Sequence, residues 1–449
     1  MPFPKDFIWG AASAAYQTEG AVNEGGRGES VWDAFCRRPG AVANEDSGEE
    51  ACDGYHRYAE DIALAAKLGV SAYRFSISWV RIYPNGDGRI NPAGLAYYGK
   101  VVDACLAAGI APYVTLFHWD LPQALEERGG WANPETPVRF AQYAGAVGAY
   151  LKGKVRCYFT LNEPECVIQL GYCFGTHAPG KQLPLPEVFA QLHGMLRGHG
   201  LAAAALRKED ADVEIGIVTT GRLCYPAQAS VADIDAARTA TFTLSDEDWM
   251  FTHNIVLDAV CLGHYPQCGG VLGDCIAAVP PAELAEIHFV PQLIGLNIYS
   301  GCEVAAAADG QPFYPPRHRG FSVTATKWPV APQVMRWGPR FIAERYGLPL
   351  CIAENGQSCN DRIFLDGKVH DADRIDFLHR YLRQLRAACE DGVDLRGYFA
   401  WSLTDNFEWN SGYSERFGLI YIDYPTQKRL PKDSFFWLSE VIRSNGNDL

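Results

Sequence analysis

The chain of 449 residues has no run of about 18 apolar residues, which excludes a transmembrane helix. It is poor in positive charge: 39 Lys plus Arg stand against 53 Asp plus Glu, a formal net charge of −14. That balance argues against nucleic acid or an anionic membrane as partner, and leaves neutral ligands open. No C-x-x-C pair occurs among the 14 cysteines, and the run Cys261, Cys268, Cys275 lacks the grouping of a zinc ribbon. A disulfide scaffold is short and dense in cysteine, and this chain is neither. The reading is free, mostly buried thiols in a reducing cytoplasm. The N-terminus fits it, because Met1-Pro-Phe-Pro-Lys runs into Phe7-Ile-Trp-Gly with no basic segment followed by a cleavable apolar one. There is no Gly-x-Ser-x-Gly elbow, no His-x-His, and no Gly-rich phosphate turn after the first apolar run. These absences argue against a serine nucleophile, a paired-histidine metal site and a doubly wound nucleotide fold. No low-complexity tract, short repeat or Pro/Gly/Ser linker divides the chain.

What is present is an alternation of strand-length apolar runs with helical patterns. The runs are Phe7 to Ala15, Ser71 to Ile77, Ala111 to Phe117, Cys157 to Asn162, Glu214 to Thr220, Leu293 to Tyr299, Leu350 to Asn355 and Leu395 to Leu403. Between them, Tyr58, Ile62 and Ala65 lead to Leu68-Gly69. Leu95, Tyr98, Val102, Cys105 and Leu106 form a stripe stopped by Gly109. Phe140, Tyr143, Val147, Tyr150 and Leu151 form another, stopped by Gly153. Strands alternating with helices predict a parallel sheet closed into a single (β/α)8 barrel over residues 1–449, with long loops after the strands. Such barrels place their chemistry where the strands end.

The predicted strand ends carry Gln17; His118-Trp119-Asp120; Asn162-Glu163-Pro164; Asn297-Ile298-Tyr299; Glu354-Asn355-Gly356; and Trp401, running on to Glu408-Trp409, with Arg74 inside the second strand. The set is rich in amides, carboxylates and tryptophan. Amides and carboxylates bind hydroxyls as donors and acceptors, and an indole face covers the C–H side of a sugar ring. Glu163 and Glu354 end strands three apart around the barrel, so they can face each other across its mouth. Glycoside hydrolysis needs such a pair, one carboxyl to protonate the leaving oxygen and one to attack the anomeric carbon or activate water. No metal and no cofactor is implied, since two carboxyl groups suffice.

The motifs then point to a family. Phe7-Ile-Trp-Gly-Ala-Ala-Ser-Ala-Ala-Tyr-Gln-Thr-Glu-Gly-Ala, Tyr73-Arg-Phe-Ser-Ile-Ser-Trp, Thr160-Leu-Asn-Glu-Pro, His177-Ala-Pro-Gly and Asp405-Asn-Phe-Glu-Trp, in this order, resemble the β-glucosidases of glycoside hydrolase family 1 over nearly the whole chain. The resemblance implies a retaining β-glucosidase with β-galactosidase or β-fucosidase side activity. It implies Glu163 as acid/base, Glu354 as nucleophile, Arg74 and Tyr299 as groups holding the nucleophile, and Asn162 on the sugar 2-hydroxyl. Gln17, His118, Glu408 and Trp409 match the residues gripping the sugar hydroxyls, with Trp401 beneath the ring, Asn297 in support and Phe417 beside it. Cys166, Tyr172, His177 and Trp328 are expected on the aglycone side. The expected partners are small β-glucosides or cello-oligosaccharides, and a homo-oligomer is left open.

The chain also departs from the family pattern. Ala353 stands where Thr or Ser is usual, and Gln357 where an apolar residue is usual; both are expected to tune fit or rate. Glu165 follows the Asn-Glu-Pro motif and is expected to point away from Glu163. Relatives that hydrolyse 6-phosphoglycosides carry Ser, Lys and Tyr where this chain has Glu408, Glu415 and Phe417. Two carboxylates repel a phosphate dianion, so a free sugar is the better reading than a 6-phospho-β-glucoside. A non-catalytic sugar-binding protein on the same barrel is the other alternative, and the two intact glutamates argue against it.

Overall fold

The computed structural model describes residues 2–449. In chain order its strands are β1 (Ile8–Ala12), β2 (Ala72–Ser76), β3 (Ala111–Phe117), β4 (Cys157–Asn162), β5 (Glu214–Thr219), β6 (Cys224–Pro226), β7 (Leu293–Asn297), β8 (Cys302–Ala306), β9 (Pro312–Phe313), β10 (Leu350–Asn355), β11 (Leu395–Trp401), β12 (Ile420–Asp423) and β13 (Lys428–Pro431). Eight of them close into a parallel barrel in the order β1-β11-β10-β7-β5-β4-β3-β2. Helices lie between successive barrel strands, so the fold is the predicted (β/α)8 barrel. The remaining strands form a small sheet β6-β8-β9 and a hairpin β12-β13, both in loops that the sequence pattern left unassigned.

Helix boundaries follow the chemistry of their ends. The helix Gly54–Leu68 stops at Gly69, whose φ of 92° only glycine adopts cheaply. The helix Pro92–Ala107 begins with Asn91 accepting from the Ala93 amide and with proline in its first turn. Its buried face is Tyr97, Tyr98, Val101, Val102 and Cys105, whereas Leu106 at the edge of the predicted stripe is 44% exposed. The Glu135–Tyr150 helix likewise buries Phe140, Tyr143 and Val147 but leaves Tyr150 in solvent.

The first strand is shorter than predicted. It ends at Ala12, and Gln17 lies in a separate helical turn, Ala15–Thr18. The alanine-rich sequence there has no period of its own. The turn is set from outside, by the Ser76 hydroxyl accepting from the Ala15 amide at 2.7 Å. The barrel interior is filled by Ala12, Tyr113, Cys157, Phe159, Val218, Cys351, Ala353 and Phe399. It is a packed core, so a ligand on this axis is confined to the mouth.

Candidate functional site

The strands that carry the two carboxylates are irregular just where the carboxylates sit. β4 shifts register against β5 between Phe159 and Asn162, and β10 shifts against both neighbours near Glu354. Such irregularities re-aim side chains at a strand end. Glu163 follows β4 with φ 47°, a left-handed conformation costing of order 1 kcal/mol or more for a side chain of this kind. Trp119 (φ 78°) and Trp409 (φ 51°) share that backbone region, and all three line one pocket of about 340 Å³ at the barrel mouth. His118, Cys166, Gln169, Thr220, Phe251, Tyr299, Trp328, Glu354, Trp401, Glu408 and Phe417 complete most of its wall.

Each carboxylate is held by a different set. Glu354 accepts from Arg74 Nη1 at 2.7 Å and from the Tyr299 hydroxyl at 2.6 Å. The guanidinium is spread across the site: Nη2 donates to Asn162 Oδ1 at 2.6 Å and Nε to the Thr115 hydroxyl at 3.1 Å. Asn297 Nδ2 donates to Glu163 Oε1 at 2.7 Å and to Asn162 Oδ1 at 3.1 Å. Asn162 Oδ1 therefore takes donors from both sides, which fixes the way its amide points. The Trp119 indole donates to the Asn162 carbonyl at 3.0 Å. On β10, Asn355 donates to the Ile298 carbonyl at 2.7 Å while the Tyr398 hydroxyl donates to Asn355, which clamps the segment carrying Glu354.

This arrangement separates the acidities of the pair. Burial, and then the negative charge of Glu354, pushes the Glu163 carboxyl up to about 8. Burial also raises Glu354, but Arg74 and the Tyr299 and Asn297 hydrogen bonds pull against it. Glu163 thus takes the first proton. His118 is held well below the usual imidazole range by burial and by Arg74, so it is neutral. Burial and the neighbouring charges of Glu354, Glu415 and Glu163 push Glu408 up to about 8 as well.

Around the carboxylates lies a bed of rings. Trp119 stacks on Trp409 with centroids 4.5 Å apart, and His118 lies parallel to Trp401 at 5.7 Å. Gln17 Nε2 donates to the Phe407 carbonyl at 2.9 Å, with Glu408 Oε2 at 3.4 Å. Gln17 Oε1, His118 Nδ1 and Asn297 Oδ1 are buried without a partner in the protein. Buried polar atoms are normally paired, so these suit a ligand rich in hydroxyls.

The structure thus brings Arg74, His118, Asn162, Glu163, Asn297, Tyr299, Glu354, Trp401, Glu408, Trp409 and Phe417 together, with Gln17 behind Glu408. The aglycone-side expectations fare unevenly. Trp328 is on the wall, packed against Tyr299 and Phe417. Cys166 is there too, close enough to hydrogen-bond Glu163. Tyr172 is not: its ring is fully buried and its hydroxyl donates to Glu126 at 2.5 Å. Its helical segment turns that face inward. His177 packs behind the pocket, edge-on to Trp32 and Trp119. Glu165 points away from the pocket as expected, but into the protein, where the Thr219 hydroxyl and the Thr220 amide donate to it. Ala353 faces the packed barrel interior, and the Gln357 amide donates to the Cys359 sulfur at 3.2 Å, behind the wall. Thr115, Thr220 and Phe251 were not read from the sequence, and Trp119 was read only as part of a strand end, with no role. Trp119 had a signal in its place beside His118 at a strand end, whereas Phe251 lies in a loop with none.

All 14 cysteines are free. Seven of them are buried and seven partly buried, fewer than the mostly buried set expected. Among the described residues there is no group of His, Cys, Asp and Glu arranged to hold a metal ion, and no helix long and apolar enough to cross a membrane.

A parallel barrel whose mouth holds two buried, differently supported glutamates in a bed of amides and indoles defines the class of carboxylate-pair glycoside hydrolases. The family model of glycosyl hydrolase family 1 matches residues 1–447, and the chain belongs to that family. It is 41% identical to beta-glucosidase A of Thermotoga maritima over 99% of this chain and 98% of that protein. It is 40% identical to a bifunctional beta-D-glucosidase/beta-D-fucosidase of Bifidobacterium breve over 98% of both. The solved structure of the Thermotoga maritima beta-glucosidase in complex with glucoimidazole superposes with a TM-score of 0.89, covering 99% of each chain.

Proposed function

We propose that the chain is a retaining β-glucosidase that removes terminal β-D-glucosyl residues from small β-glucosides or cello-oligosaccharides, with β-fucosidase and β-galactosidase side activity. The observation that carries this reading is the unequal support of the two carboxylates. Glu354, held by Arg74 and Tyr299, is the nucleophile; Glu163, raised to about 8, is the acid. Glu354 attacks the anomeric carbon while Glu163 donates its proton to the departing oxygen, leaving a glycosyl ester on Glu354. Esterification removes the Glu354 charge, one of the causes that raise Glu163. The acidity of Glu163 therefore increases, and as a carboxylate it takes a proton from the water that cleaves the ester. Asn162, fixed by Arg74 and Asn297, meets the 2-hydroxyl. Gln17, His118, Glu408 and Trp409 hold the remaining hydroxyls over Trp401.

A free sugar is favoured over a 6-phosphate because Glu408 and Phe417 on the pocket wall supply no cation, and Phe417 no donor, to hold a phosphate. We infer that the chain works as one catalytic unit and needs no cofactor. Fourteen free thiols support a reducing compartment such as the cytoplasm. The test compares p-nitrophenyl β-glucoside with its 6-phosphate and follows the anomer released by NMR. Cleavage of the free glucoside with β-glucose as first product is expected; preference for the phosphate, or α-glucose first, overturns the reading.

A further inference from the structure

Outside the catalytic pocket, two cysteines stand opposite each other. Cys224 in β6 and Cys302 in β8 are register partners in the small parallel sheet. Paired residues of parallel strands project to the same face, and neighbouring strands lie about 4.8 Å apart. That spacing falls inside the Cα separation of about 4.4–6.8 Å that a disulfide bridges. The barrel cysteines lack such a partner, since Cys157 pairs with Tyr113 and Glu214, and Cys351 with Gly295 and Gly397.

The two thiols differ in access. Cys224 is fully buried among Ala236, Val304 and Phe341, with Cys302 packed at the margin of that cluster. Cys302 is partly exposed, on a wall shared by two cavities of about 390 and 220 Å³. The larger one adjoins the catalytic pocket through Thr220, Phe251, Tyr299 and Trp328, and it is lined by Arg222 and Arg317. The neighbouring Cys224 thiol, aided by Arg317 and Arg222, pulls the Cys302 thiol below its usual range, while the same contact and burial push Cys224 up. Thiolate character on the accessible sulfur and a protonated thiol beside it are the arrangement of an attacking and a resolving cysteine.

We propose that Cys302 and Cys224 form a peroxide-sensitive thiol pair, with Cys302 the attacking and Cys224 the resolving sulfur. The Cys302 thiolate attacks one peroxide oxygen, an S–O bond forms as the O–O bond breaks, and the departing hydroxide takes a proton and leaves as water. The Cys224 sulfur then attacks Cys302. An S–S bond forms, and the sulfenic hydroxyl leaves with the Cys224 proton as a second water. The two thiols lose two electrons and the peroxide gains them. A dithiol reductant reverses the bond, so the free pair is the resting state in a reducing compartment.

The test treats the intact protein with hydrogen peroxide, alkylates the remaining thiols and maps the peptides. A peptide pair joined through Cys224 and Cys302, separated again by dithiothreitol, is expected. Cys302→Ser should abolish the joined pair. Cys224→Ser should leave a sulfenic acid on Cys302 that dimedone traps. Recovery of both cysteines as alkylated free thiols after peroxide has oxidised other cysteines, or a joined pair linking Cys302 to a different cysteine, overturns the proposal. The map of the unsubstituted protein decides it even if a variant folds poorly.

Discussion

The two walls of the barrel-mouth pocket are built on different principles. On the side of Glu163 and Glu354, each polar group is fixed by another: Arg74 binds Glu354 and Asn162, and Asn297 binds Asn162 and Glu163. Arg74 is fully buried there. On the outer side, Trp328 is 39% exposed and its ring packs against those of Tyr299 and Phe417; Gln169, Leu170 and Phe251 line the same pocket. Preorganised dipoles and charges act most where charge develops during reaction, so the inner wall is rigid and polar. A leaving group of variable shape needs area rather than aimed hydrogen bonds, and under the proposed function this apolar, part-exposed wall would supply it. Inner-wall substitutions should therefore change kcat steeply and outer-wall ones KM mildly.

The largest expected effect is at Glu354, the proposed nucleophile. Glu354→Gln should lower kcat by about 10⁴-fold or more, and azide should rescue Glu354→Gly with an α-glycosyl azide as product. Steady-state kinetics and NMR check both. Glu163→Gln should cost about 10²–10⁴-fold on substrates with poor leaving groups and far less on activated aryl glucosides. It should also remove the alkaline limb of the pH profile. The acid must be protonated, so the rate should fall as pH rises through about 8 for Glu163, and it should fall at low pH as Glu354 gains a proton.

Arg74→Met leaves Glu354 buried beside no cation. We expect a stability loss of roughly 3–5 kcal/mol by denaturant unfolding, from breaking a buried pair. Losing the cation raises the pKa of Glu354 further, so the acidic limb should move to higher pH. The smallest effect is expected on the outer wall. Trp328→Ala should raise KM about 2–10-fold for aryl aglycones, the worth of one ring contact, with kcat nearly unchanged. A kcat loss at Trp328 as large as that at Glu163 would break the distinction between the walls.

The two walls also differ in how far the sequence revealed them. Glu163, Glu354 and Asn297 sit at or just past strand ends, where a barrel exposes side chains, and the alternation of runs and stripes placed those ends within a few residues. Gln17 was legible as a residue but not in its setting, because the turn that carries it is imposed by the Ser76 contact. The outer wall comes from loops whose course depends on long-range packing. Tyr172 and His177 looked like lining residues, yet one is bonded to Glu126 and the other is packed behind Trp119. Phe251 reached the pocket from a segment without periodicity or turn chemistry. The small sheet pairing Cys224 with Cys302 was equally hidden, since strands of three and five residues, 78 positions apart, carry no pattern that links them.

The proposed roles require that Glu354 form a covalent glycosyl ester while Glu163 serves as acid and then base. The most direct measurement incubates the protein with an activated 2-deoxy-2-fluoro-β-glucoside, which slows the second step more than the first, and maps the labelled peptide by mass spectrometry. One fluoroglucosyl group is expected on the peptide containing Glu354, absent in Glu354→Gln and released on transfer to an added acceptor sugar. Label on any other residue, or turnover to an α-configured product with no label at all, would contradict it.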